Sequence, residues 1–197
     1  MEQDKGGAGM VVNWALGEAH MSQNEPRSAG NDEKQLRVGE VVVPLPDQTN
    51  AGIYFIGRIR TPWTHRKDCP KNARESRERG TICTVEVDPR WQPALSGVET
   101  CSHLILLYWM DRARRDLAVQ APKHYATGRP TFSIRSPARP NPIALAVVEL
   151  RKVDGNVLHV VGVDCLDNTP LLDIKPYFPS ADSIPDARVG WHAAAKR

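Results

Sequence analysis

Apolar residues recur in short runs cut by proline and glycine, and from Ile53 onward those runs have the form of β-strands. Residues 53–59 alternate apolar and polar side chains until Pro62 ends them, and Ile82-Cys83-Thr84-Val85-Glu86-Val87 alternates between Gly80 and Pro89. Leu104 to Trp109 is apolar without a break, which predicts a strand covered on both faces. Phe132 to Arg135 predicts a short strand and Ile143 to Leu150 a longer one. Val153-Asp154-Gly155-Asn156-Val157 predicts a hairpin, because Asp-Gly accepts the positive φ of a tight turn, and Val157 to Val163 is its returning strand. Helical patterning is confined to Arg112 to Gln120, enough for about three turns, and to a single turn at Pro93 to Gly97. The elements predict a mainly β protein. Its expected form is a single-sheet, closed or nearly closed β-barrel with a few short helices and long connecting loops.

The pattern changes before Gly52. Residues 1–50 predict a flexible or loosely docked extension, rich in Gly, Ser, Asn, Gln and Glu, with one apolar island from Val11 to Leu16. Val38 to Val43 reads as a strand or extended piece stopped by Pro44 and Pro46. Residues 51–190 then form the barrel domain and residues 191–197 a tail. Leu104 to Met110, the longest apolar run, is far too short to cross a bilayer, and the acidic, glycine-rich start is unlike a secretory leader. These features predict a cytoplasmic protein with reduced thiols. Cys69 lies among Arg66, Lys67 and Lys71, cations of the kind that lower a thiol pKa. The spacing of the four cysteines does not suit zinc and the six histidines are dispersed, so no metal is expected.

Charge is unevenly distributed. Residues 1–49 carry four basic against eight acidic side chains, and the remainder 22 against 15. Arg58, Arg60, Arg66, Lys67, Lys71, Arg74, Arg77 and Arg79 meet only Asp68, Glu75 and Glu78, which leaves two readings: a solvated loop, or a surface for a polyanion such as RNA. Dinucleotide-binding, Walker A, H-E-x-x-H and G-x-S-x-G patterns are absent. Two segments are chemically dense. Arg135-Ser136-Pro137-Ala138-Arg139-Pro140-Asn141-Pro142 sets guanidinium donors on a proline-stiffened loop, suited to a carboxylate or phosphate or else merely a strand connection. Asp164-Cys165-Leu166-Asp167-Asn168-Thr169-Pro170 is a turn in which Asp167 either takes a ribose or amine, or caps the turn itself.

In this order, Ile56-Gly57-Arg58-Ile59-Arg60-Thr61-Pro62, Gly97-Val98-Glu99-Thr100-Cys101-Ser102-His103-Leu104, Arg135 to Ile143 and Asp164 to Pro179 resemble the YaeB/TrmO family. Its members are tRNA-modifying methyltransferases that use S-adenosylmethionine. The resemblance runs from about Tyr54 to Ala187 and implies a cofactor-binding barrel whose site is completed by a homodimer. It further implies methylation of the exocyclic N6 of threonylcarbamoyl-adenosine beside the tRNA anticodon. By motif position the cofactor would contact Pro70, Lys71, Asn72, Asp111, Arg112, Arg135, Leu145, Cys165, Leu166, Asp167 and Asn168. Arg139, Asp173, Lys175 and Tyr177 would line the reaction centre.

The chain departs from the longer members at Pro70-Lys71-Asn72-Ala73-Arg74, at Asp111-Arg112 and at Asn168, which stand for Pro-Arg-Gln-Pro-Gly, His-Gln and Gly. It is expected to be a short form without their C-terminal domain. The rival expectations are the same barrel acting on another RNA or a small molecule, and a cofactor- or RNA-binding module without turnover.

Overall fold

The computed structural model describes residues 36–46, 51–123, 125 and 127–191. Of the extension expected over residues 1–50, residues 1–35, with the island at Val11 to Leu16, and 47–50 lie outside the described residues, as does the expected tail from His192 on. The described residues from Arg37 onward form one compact unit.

Its centre is a closed six-stranded barrel. The strands are β2 (Gly57–Arg60), β3 (Ile82–Val87), β4 (His103–Trp109), β7 (Ile143–Asp154), β8 (Val157–Val161) and β9 (Thr169–Pro176). Around the barrel they run β2-β3-β8-β7-β4-β9, every neighbour antiparallel, so no barrel edge is left unpaired. Alternation fills the interior: Ile59, Val85, Leu104, Leu106, Val148, Leu158, Val160 and Leu171 are fully buried. A second, three-stranded sheet joins β1 (Val41–Val42), β5 (Leu117–Gln120) and β6 (Arg129–Pro130) in the order β1-β5-β6.

Gly155 turns the β7–β8 hairpin with φ 61°, in the conformation that glycine adopts freely. Gly57 is fixed by packing instead. A Cβ there would lie 2.2 Å from the Glu86 carbonyl oxygen, which is itself backbone of β3. Gly57→Ala is therefore expected to lower unfolding stability by about 1–3 kcal/mol, read as a lower urea midpoint with unchanged slope.

Several elements differ from the sequence expectation. Residues 112–120 are not helical: Leu117–Gln120 is strand β5, held between β1 and β6, so tertiary pairing overrides the local helical spacing. Residues 132–135 are not a strand: Thr131–Ser133 makes a 3₁₀ turn behind Pro130, with the Thr131 hydroxyl donating to the Leu117 carbonyl at 2.6 Å. The single turn expected at 93–97 is a longer 3₁₀ segment, Pro89–Leu95. Helix α1 (Ala73–Arg79) and strand β9 lay hidden, the first because it is almost wholly polar, the second because Pro170, Asp173 and Pro176 interrupt its apolar pattern. Strand β4 is covered on its inner face only, where Leu104, Leu106 and Tyr108 point, whereas Ile105, Leu107 and Trp109 remain half-buried outside.

Candidate functional site

The register places three connections at one end of the barrel. β2 exits there at Arg60 into residues 61–81, β4 exits at Trp109 into residues 110–142, and β8 exits at Val161 into residues 162–168. β8 and β9 are not neighbours, so residues 162–168 cross the barrel mouth. The β2–β3 connection lies on one side of that crossing and the β4–β7 connection on the other. Ten of the eleven residues expected at the cofactor stand on these three segments; the eleventh, Leu145, is two residues inside β7.

Both sides grip the crossing segment. From the β2 side, the Thr61 amide donates to Asp167 Oδ1 at 3.1 Å, Thr61 Oγ1 to the Cys165 carbonyl at 3.2 Å, and the Asp167 amide to the Trp63 carbonyl at 2.8 Å. Arg60 donates to Asn168 Oδ1 at 3.0 Å and Arg58 to its carbonyl at 3.3 Å. Asn168 takes φ 63°, a left-handed conformation that asparagine tolerates better than most residues, which is how it stands in a glycine position. From the β4 side, the buried Tyr108 hydroxyl donates to Asp164 Oδ1 at 2.9 Å. Burial, reinforced by Asp164 and Cys165, holds that phenol well above its ordinary pKa, so it stays a donor.

Pro70 is buried, and Lys71 and Asn72 lead into α1. The Asn72 side chain caps that helix by accepting from the Glu75 amide at 3.0 Å, while Glu75 Oε2 accepts from the Lys71 amide at 3.0 Å. Ser76 anchors α1 to the crossing segment through a hydrogen bond to the Val163 carbonyl. Desolvation and the carboxylates of Asp164 and Asp68 raise the Cys69 thiol pKa, opposite to the shift its neighbouring cations suggest. Burial pushes Cys83 up to about 11, and Cys165 further still. These thiols are protonated and inert near neutral pH.

On the other side, Asp111 and Arg112 are exposed immediately beyond β4. Arg135 donates to the Leu145 carbonyl at 3.1 Å, which ties its loop to β7. Arg139 spends its guanidinium within its own loop, on the carbonyls of Ser136 at 3.0 Å, Ile134 at 2.5 Å and Thr131 at 3.4 Å.

The remaining expected residues lie on the outer wall. Asp173 faces Leu107 and Lys175 faces Ile105 across the β4–β9 ladder, and Lys175 Nζ sits 2.6 Å from Asp173 Oδ2. Leu107 also faces Leu145, so Asp173 and Leu145 flank it two strand spacings, about 10 Å, apart. Tyr177 follows β9, its amide donating to the His103 carbonyl at 3.2 Å. The same wall carries three apolar cross-strand pairs, Ile105–Val147, Leu107–Leu145 and Trp109–Ile143. Ile143 and Leu145 are 45% and 44% exposed, unusual for residues whose neighbours are also apolar. Two open depressions, of about 500 and 460 Å³, are lined by other residues, around Gln92 and Glu99 and around Phe55 and Arg58. Among the described residues no group of three or more His, Cys, Asp or Glu is placed to hold a metal ion. No described helix is long and apolar enough to cross a membrane.

A family model described as the tRNA-methyltransferase O N-terminal domain matches residues 58–183, most of the barrel and all three converging connections. The chain belongs to the tRNA-methyltransferase O family. Among its relatives, the "Probable S-adenosyl-L-methionine-binding protein VirR" of Rhizobium radiobacter is 44% identical over 158 residues, 79% of this chain and 89% of that protein. The tRNA (adenine(37)-N6)-methyltransferase of Escherichia coli K12 is 31% identical over 148 residues, 71% of this chain and 63% of that enzyme. A crystal structure of TrmO from Pseudomonas aeruginosa superposes with a TM-score of 0.60 at 32% identity, over 73% of this chain and 63% of that one. The chain thus spans less than two thirds of the length of that enzyme and of that crystallised protein.

Within this tRNA-methyltransferase O barrel, the structure adds residues that motif reading passed over. Thr61 and Tyr108 hold the crossing segment from its two sides, and Trp109 carries Arg115 over its ring, 5.5 Å from the centroid, while Arg115 donates to the Pro140 carbonyl at 2.6 Å. Tyr108 sits inside the apolar run, where only its hydroxyl distinguishes it from a core residue. Thr61 gave no signal beyond its place in a motif, and Trp109 and Arg115 lie outside the motifs.

Proposed function

We propose that this chain binds S-adenosylmethionine at the barrel end where its three connections converge, and transfers the methyl group to N6 of an adenosine in tRNA. The acceptor we infer is threonylcarbamoyl-adenosine beside the anticodon, acted on in the cytoplasm by a homodimer. The convergence of ten expected cofactor residues on three segments at one barrel mouth carries the reading. The relatives' names support it.

The donor set suits the cofactor. Leu145 offers an apolar surface to an adenine ring, and the carbonyls and amides of residues 165–168 offer partners to base and ribose. Asp111, Asp164 and Asp167 are counter-charges for the ammonium of its amino-acid part. Bound S-adenosylmethionine supplies an electrophilic methyl on a sulfonium. The chain's contribution is to fix the acceptor in line, the usual source of rate in such a displacement. Asp173 Oδ1 and Oδ2 are acceptors for the proton leaving the nitrogen, Lys175 is a donor toward the neighbouring carbonyl, and Arg139 holds its own loop in shape. Tyr177 closes that side of the wall.

Two copies would pack the apolar outer walls of β4 and β7 against each other, since a two-fold contact uses the same patch twice and this patch is self-complementary. Leu145 and Asp173 would then lie inside a shared site.

Calorimetric titration with S-adenosylmethionine, followed by transfer of labelled methyl to tRNA from a strain lacking the gene, tests the reading. The expected result is one ligand per chain and label in tRNA adenosine. Cofactor binding with label in another acceptor would move the activity to that acceptor. Binding with no S-adenosylhomocysteine released from any substrate would leave a binding module, and absent binding would overturn the proposal.

A further inference from the structure

The cations of this chain fall into two populations. At the barrel end away from the converging connections, and along the wall, they are neutralised: Arg90 by Asp88 at 3.0 Å, Arg151 by Glu149 at 2.9 Å, Lys152 by Asp154 at 2.7 Å and Lys175 by Asp173 at 2.6 Å. Much of the basic run around α1 is cancelled as well. Arg60 pairs with Glu86 at 2.8 Å, Arg74 with Glu78 at 2.8 Å and Arg79 with Glu75 at 2.5 Å.

Uncompensated charge gathers on the connections at the barrel mouth. Among the described residues Arg66, Lys67 and Lys71, on the β2–β3 side, make no ion pair, and neither do Arg112 and Arg135 on the β4–β7 side. All five are exposed. The acidic groups at this end are partly engaged: Asp68 lies 3.7 Å from His65, Asp164 accepts from Tyr108 and Asp167 from the Thr61 amide, with Asp111 beside Arg112.

We infer that these two groups of free cations, one on each side of the 162–168 crossing, form the track that grips the phosphodiester backbone of the RNA substrate on both sides of the nucleotide being methylated. The inference rests on the tRNA reading above and deepens it by naming the surface. Unpaired surface cations suit a polyanion because no internal salt bridge has to break before a phosphate is met. Phosphate contacts position without reading sequence, and here they would leave recognition of the target base to the mouth between them. Arg74 and Arg79 of α1, prominent in the sequence, are not part of the track, because their charge is already spent on Glu78 and Glu75.

The test compares the salt dependence of binding to unmodified tRNA for the wild type, Arg66→Gln/Lys67→Gln, and the paired-cation control Arg90→Gln/Lys152→Gln. Each neutralised phosphate adds roughly 0.7–0.9 to the slope of log affinity against log salt. The first variant should therefore lose about 1–2 from the slope, with S-adenosylmethionine affinity unchanged, while the control keeps the wild-type slope. A wild type that methylates tRNA, with a slope the first variant leaves unaltered or the control lowers equally, overturns this inference alone. A wild type that binds no tRNA at any salt overturns both this inference and the tRNA reading.

Discussion

Leu107→Glu is expected to yield a folded monomer whose methyl transfer falls on the order of a hundredfold. Leu107 projects from the outer face of β4 between Leu145 and Asp173, so the substitution leaves the barrel interior untouched. In a two-fold dimer it would set two carboxylates against an apolar patch, and burying an unpaired charge costs far more than the contact contributes. Residues of the shared site would lose the wall opposite them, and displacements of about 1 Å cost about two orders of magnitude in transfers governed by position. Sedimentation velocity reads the association state, circular dichroism the fold, and labelled methyl incorporation the rate. A variant that stays dimeric at full activity would place the subunit contact on another face.

The second large effect is expected at Asp167. Its carboxylate accepts from the Thr61 amide, so removing it leaves a part-buried donor unsatisfied and takes away one of the bonds that hold the crossing segment to the β2 side. The loss is about 1–3 kcal/mol, or roughly ten- to hundredfold in cofactor affinity if the segment must be ordered before binding. Asp167→Asn keeps an acceptor oxygen and is expected to recover most of the affinity that Asp167→Ala loses. Calorimetry on the two variants separates the roles. An asparagine variant as weak as the alanine variant would mean that the negative charge itself meets the ligand.

How far the chain could be read in advance follows from what each segment's neighbours do. β3, β4, β7 and β8 were legible because their alternation or apolar runs match the barrel interior that receives them. β9 was not, since two prolines and Asp173 break the pattern, yet its pairing with β2 and β4 is made around them, with an irregularity in register after Leu107 on β4. β5 was taken for helix because nothing local tells Leu117 and Val119 that β1 and β6 will pair with them. α1 escaped because only Ser76 of its seven residues is buried. The candidate site was legible only through motifs: residues as distant as Lys71, Arg112 and Asp167 stand on connections at one barrel end because of the strand order, and no spacing along the chain announces that crossing. The outer wall of β4 was misjudged in an informative way. Its six residues from Leu104 to Trp109 look fully covered, and the single chain covers half of them.

The small sheet outside the barrel has a bearing on where this protein begins as a working object. Val41 and Val42 pair with Val119 and Leu117, the Val43 amide donates to the Asp116 carbonyl at 2.7 Å, and Arg37 reaches the Ala121 carbonyl at 3.0 Å. All three attachments fall in the connection that carries Arg112, Arg135 and Arg139. The family's shared region starts at residue 58, but one wall of the barrel mouth is stitched down by chain that precedes it. Inheritance and mechanics draw the N-terminal border in different places, and a fragment cut at the first would keep the barrel while leaving the longest loop of the site without its clasp.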